Sequence, residues 1–132
     1  MTTTIPNRLY LAGPMSGIAE YNRPLFSEVA GWLRNRGHEV FNPGENKDGG
    51  VKQPRSFYMR IDIPALMASN AIVLLPGWQE SRGANLEVWI ALDTDLPIYS
   101  YEDSTGGRSL QQLEGLDVEP LPFARSLYPI PG

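Results

Sequence analysis

The segment Ala71-Ile-Val-Leu-Leu75 most constrains what this chain can fold into. It is a continuous apolar run with β-branched residues at its centre, closed by Pro76-Gly77. A short run without polar alternation reads as a strand buried on both faces, and such strands belong to parallel sheets covered by helices on either side. Three other segments agree. Leu9-Tyr-Leu-Ala12 stops at Gly13-Pro14, Glu39-Val-Phe41 stops at Asn42-Pro43, and Pro97-Ile-Tyr-Ser-Tyr101 forms a fourth extended run.

Helical patterns separate these strands. Leu25, Phe26, Val29, Ala30 and Leu33 recur at helical spacing, with Asn22 as the expected cap, Pro24 in the first turn and Gly37 as the stop. Residues 55–69 read as a second helix, with Phe57, Ile61, Leu66 and Met67 buried and Pro64 distorting or dividing it. Residues 83–95 read as a third helix and 109–113 as a weak short one. Trp32 and Trp89, on the first and third helices, are expected to pack inside. Alternation of strands and helices implies right-handed crossovers. The expected fold class is therefore α/β: a three-layer, Rossmann-like (flavodoxin-like) parallel sheet with helices on both faces. Ligands on such sheets bind beyond the carboxyl ends of the strands. Loops 13–21, 42–54 and 76–82 should share that edge, and they are the loops richest in Gly, Pro and polar residues.

Composition narrows the function classes. At 132 residues the chain is expected to form one domain over 1–118. The Pro-rich stretch 119–132 reads either as an extended arm docking on this or a neighbouring subunit, or as a frayed end. The absence of cysteine excludes a disulfide scaffold, a thiol nucleophile and a cysteine metal site. A net charge of −4 argues against a nucleic-acid polymer as partner but leaves a small anion open, because a local site can be positive on an acidic protein. No segment reaches the ~18 consecutive apolar residues of a membrane span, and no signal peptide is evident, so no membrane partner and a cytoplasmic location are expected.

Cofactor and metal motifs are missing. Gly13-x-x-x-Gly17 has the wrong spacing for a dinucleotide fingerprint, and no Gly-Lys-Ser/Thr phosphate loop occurs. His38 reads as a surface or structural residue, and Asp93-Thr-Asp95 as a solvated helix end rather than a metal site. No cofactor and no metal are expected. The segment that stands out is Trp78-Gln-Glu-Ser81-Arg-Gly83-Ala-Asn-Leu-Glu87. A helix opening at Ser81–Gly83 offers unpaired N–H groups to an anion. One turn further in, Glu87 is either a partly desolvated nucleophile or base, or an exposed helix residue; spacing alone leaves both open.

The ordered set Tyr10-Leu-Ala-Gly-Pro-Met-Ser-Gly17, Asp62 and Ser81-Arg-Gly-Ala-Asn-Leu-Glu87 resembles the nucleoside 2-deoxyribosyltransferase superfamily over residues 9–98. It is nearest to the small branch that hydrolyses 2′-deoxynucleoside 5′-phosphates. The resemblance implies cleavage of an N-glycosidic bond, with Glu87 as nucleophile, Tyr10 orienting it and Asp62 serving the base or its proton transfer. Where deoxyribosyltransferases commonly carry an aspartate for the 5′-hydroxyl, this chain has Ser81, which with the N–H groups near Gly83 would accept a phosphate. The expected substrate is thus a nucleoside monophosphate, with water as acceptor; base exchange and non-catalytic nucleotide binding on the same fold are the alternatives. The hydrolase branch's usual first-loop arginine is absent, and Ser16 stands in its place. Gly13, Pro14, Met15, Ser16 and Gly17 are expected to line the substrate. Arg60 and Arg82, or Arg23, would supply positive charge, and Trp78 either stacks on the base or covers the sheet end. The resemblance also implies a homo-oligomer.

Overall fold

The computed structural model of the chain describes residues 4–116 and 118. The segment 119–132, read above as a Pro-rich arm, lies outside the described residues. Five strands form one sheet: β1 (Arg8–Ala12), β2 (Glu39–Phe41), β3 (Ala71–Leu74), β4 (Ile98–Ser104) and β5 (Gly107–Leu113), in the order β2-β1-β3-β4-β5. The first four run parallel, and β5 pairs antiparallel with β4. The helices α1 (Arg23–Asn35), α2 (Arg55–Met67) and α3 (Arg82–Asp93) cover the sheet.

Alternation along the strands sorts the layers. Leu9, Leu11, Val73, Tyr99 and Tyr101 face α1, whose Phe26, Val29, Ala30 and Leu33 complete that half of the core. Tyr10, Ala12, Ile72, Leu74 and Ile98 face the other way, against Leu66 of α2 and Ala84, Val88 and Ala91 of α3. β1 beyond Arg8 and all of β3 are buried, which is why both read as uninterrupted apolar runs. The order β2-β1-β3 places the topological switch between the carboxyl ends of β1 and β3.

Four local expectations are corrected. Residues 109–113 belong to strand β5 and not to a helix. Thr105-Gly106 joins Ser104 to its partner Gly107 as a two-residue hairpin turn, so the last strand is antiparallel. Helix α2 is one helix with Pro64 inside it; its buried residues are Asp62 and Leu66, while Ile61 and Met67 are exposed. Asn22 precedes α1 in a left-handed conformation and does not cap it; its side-chain amide donates instead to the Pro14 carbonyl at 2.9 Å. Trp89, expected to pack inside, is 40% exposed.

Elsewhere His38 has the structural role expected, its Nδ1 lying 3.0 Å from the Pro6 carbonyl. Among the described residues no helix is long and apolar enough to cross a membrane. The turn after β1 packs closely on the end of β3. A methyl group on Gly13 would stand 2.9 Å from Leu75 Cβ and 3.4 Å from Phe26 Cζ. Gly13→Ala is therefore expected to destabilise the protein by about 1–3 kcal/mol, through backbone displacement at a packed contact. Urea unfolding should show a lower midpoint at unchanged slope; an unchanged midpoint would mean that this contact does not hold the loop.

Candidate active site

A cavity of about 1370 Å³ opens at the carboxyl edge of the sheet. It is walled by the loops after β1, β2 and β3 and by α2 and α3, so the three Gly- and Pro-rich loops do share one edge. Tyr10, Asp62 and Glu87 line it together, although they come from β1, α2 and α3. Gly13, Pro14, Met15, Ser16, Ser81, Arg82 and Gly83 line it as well. Gly17, Arg60 and Trp78 do not. Gly17 turns the exposed loop at φ 80°, and Arg60 is exposed, two positions from Asp62 and so on another side of α2. Trp78 is half-buried and packs against the apolar cluster under α3.

Glu87 is buried within α3, and the Tyr10 hydroxyl donates a hydrogen bond to its Oε2. Tyr10 is fixed in turn by stacking on Phe41, its register partner in β2, with ring centroids 5.3 Å apart. Burial pushes the Glu87 carboxyl up to about 8; nearby Asp62 adds to the rise, while the Tyr10 hydrogen bond and the Arg55 guanidinium oppose it. Asp62 is raised to about 6 by burial, against a lowering hydrogen bond from Asn46. Burial, and then the two neighbouring carboxyls, hold the Tyr10 phenol well above its ordinary range, so it remains a donor. Two carboxyls whose proton affinities straddle neutrality share one proton near pH 7, and their titration belongs to the pair.

The other wall is the start of α3. Ser81 caps the helix by accepting the Ala84 N–H at 3.1 Å, and the Asn85 amide holds the preceding turn by donating to the Ser81 and Gln79 carbonyls at 2.7 and 2.9 Å. The Ser81 hydroxyl proton stays free to donate. A Cβ on Gly83 would meet nothing within 4 Å, so the helix start is open on that side. Arg82 Nη2 is buried and has no hydrogen-bond partner among the described residues. Buried donors without acceptors are costly, and an anion would satisfy them.

Several lining residues carry no signal in the sequence beyond the length of loop 42–54. Asn46 donates to Asp62 Oδ1 at 2.8 Å. Asp48 accepts the Gly50 N–H at 2.9 Å and the Tyr58 hydroxyl at 3.1 Å, with Arg23 4.0 Å away. Of the arginines weighed as anion ligands, Arg23 and Arg82 line the cavity and Arg60 does not. The segment before it holds Glu20, Tyr21 and Asn22 at φ of 54–58°, a conformation costing non-glycine residues about 1–2 kcal/mol each. Among the described residues, no group of three or more His, Asp or Glu side chains could hold a metal ion.

Comparison with solved structures places the fold. A 2-deoxyribosyltransferase from the psychrotolerant bacterium Bacillus psychrosaccharolyticus superposes with a TM-score of 0.55 at 20% identity, over 70% of this chain and 70% of the other. A conserved protein from Enterococcus faecalis V583 superposes with a TM-score of 0.52 at 23% identity, over 76% of this chain and 66% of the other. The fold is thus the one that the resemblance of residues 9–98 implied. No curated protein matches the chain. Residues 7–100 match the family model described as "Domain of unknown function (DUF4406)", and the chain belongs to that family.

Proposed function

We propose that the protein hydrolyses the N-glycosidic bond of a (deoxy)nucleoside 5′-monophosphate, releasing free base and sugar phosphate. The observation that carries this reading is the juxtaposition of Glu87, bonded by the Tyr10 hydroxyl, with Asp62 in the cavity that also receives the open start of α3. A carboxylate beneath an anomeric carbon stabilises the oxocarbenium-like transition state and can form an ester with it. In the first step a Glu87 oxygen bonds to C1′ as the C1′–N bond breaks, its electron pair leaving with the base while Asp62 delivers a proton to that base. In the second, the Asp62 carboxylate takes a proton from water, whose oxygen bonds to C1′ as the ester to Glu87 breaks. The productive form carries the pair's proton on Asp62 and the negative charge on Glu87.

The phosphate is assigned to the start of α3. Ser81 and Arg82 Nη2, which has no partner among the described residues, supply donors there, Gly83 leaves the helix start open, and Arg23 and Ser16 line the same cavity. Placing a carboxylate among these donors would repel a phosphate and not a neutral 5′-hydroxyl. Ser81→Asp is expected to raise KM for monophosphates by about tenfold or more, while leaving the nucleoside nearly unchanged. Equal effects on both would remove the phosphate from this position.

The direct test is release of free base from a panel of deoxy- and ribonucleoside monophosphates with no second base present. Release under those conditions supports the hydrolase. Dependence on an added base would make the protein a deoxyribosyltransferase, and tight binding without release would make it a nucleotide-binding module. A homo-oligomer belongs to the same proposal, supported by the exposed Met67 and Trp89 on the α2 and α3 side. A monomeric mass in sedimentation would contradict that part.

A further inference from the structure

We infer that Asn46 is a positioning residue for Asp62: it decides which carboxyl oxygen carries the proton, and it is held to that task by Arg34. This deepens the glycosidase reading and rests on it for its catalytic meaning, although the contact itself does not. Asn46 Nδ2 donates to Asp62 Oδ1 at 2.8 Å, and both residues line the cavity. An oxygen that accepts an amide N–H is the carbonyl-like oxygen of a carboxylic acid, so the acid proton of Asp62 is directed to Oδ2. An acid that must deliver a proton to a leaving base gains from a fixed proton-bearing oxygen, because transfer needs hydrogen-bond reach and alignment.

Asn46 is not a loose loop residue. Asn42 Oδ1 accepts the Gly44 N–H at 2.8 Å, and Asn46 N–H closes the same turn on the Pro43 carbonyl at 3.1 Å. The Arg34 guanidinium grips Glu45 with two bonds of 2.7 and 2.8 Å and also donates to the Val40 carbonyl at 2.9 Å. The end of α1 is thereby clamped to the turn that presents the amide. This gives loop 42–54 a function beyond covering the cavity. The titratable groups that feel the Asp62 charge include Glu87 from α3 and Tyr10 from β1, and Arg55 of the same helix acts on Glu87.

The test uses the full chain and two variants, Asn46→Ala and Asn46→Leu, the second filling nearly the same volume without a donor. The Asp62 side-chain carboxyl is titrated by carbon-13 NMR in each, and base release is measured across pH. With the donor gone, burial acts unopposed, so the Asp62 midpoint is expected to rise by roughly half a pH unit or more in both variants. Base release should lose about tenfold in kcat with KM changed less than about threefold, and the acid limb of its pH profile should move upward with the midpoint. An unchanged Asp62 midpoint in the folded variants overturns the inference, as does a loss confined to KM. If the native protein releases no base, the hydrolase reading fails, and the Asp62 midpoints still decide whether Asn46 governs that carboxyl.

Discussion

Glu87→Gln is expected to lower base release by about three orders of magnitude or more while leaving the protein folded. Gln differs little from Glu in volume and can still accept the Tyr10 hydroxyl, so packing in α3 is preserved. What it lacks is charge. A neutral amide neither stabilises an oxocarbenium-like carbon nor forms the ester through which the sugar would pass. Any remaining activity would report the contribution of the cavity and Asp62 alone. Retention of more than about a tenth of the native rate would remove Glu87 from the chemistry.

The same substitution should change how stability depends on pH. In the folded protein Glu87 titrates near 8 rather than near its ordinary 4.5, and Asp62 near 6 rather than near 3.8. Between the ordinary and the raised values, the folded state binds more protons than the unfolded chain, so unfolding free energy falls as pH rises. The loss begins near pH 4, continues to about pH 8 and then levels off. A tenfold change in proton affinity is worth about 1.4 kcal/mol, so Glu87 alone contributes on the order of a few kcal/mol. Glu87→Gln removes that share. Urea unfolding at pH 5 should give similar stabilities for the native protein and the variant, and at pH 9 the variant should be the more stable by that amount. A constant difference across pH, or a native protein that gains stability from pH 5 to 9, would show that Glu87 is not held in a desolvated site. Stability sacrificed at a functional carboxyl is the usual trade-off of an active site.

What the sequence made legible was what its periodicity records. The uninterrupted run at residues 71–75 announced a central parallel strand, and β3 is buried throughout. The three loops at the carboxyl edge followed from that topology. Residues 109–113 carry little apolar signal because β5 is an edge strand that alternates exposed with half-buried positions; the hairpin cue lies in Thr105-Gly106-Gly107. Asp62 sat in a helix whose apolar residues suggested Ile61 and Met67 as the buried face, yet the carboxyl is inside and those two are exposed. Tertiary placement of the cavity overrode the helical pattern there. The Asn46 contact joins loop and helix across 16 positions, and no local pattern encodes it. Trp78 reads either as a stack for the base or as a cover for the sheet end, and Arg60 as one of several phosphate contacts; Trp78 packs against the cluster under α3, and neither residue lines the cavity.

The most direct measurement is mass spectrometry of protein quenched in acid during turnover of a deoxynucleoside 5′-monophosphate, followed by peptide mapping. A sugar-phosphate adduct on the peptide containing Glu87, absent from Glu87→Gln and lost on standing with water, is the predicted result. Steady release of base with no adduct, unaffected by Glu87→Gln, would contradict a glutamate-centred glycosidase.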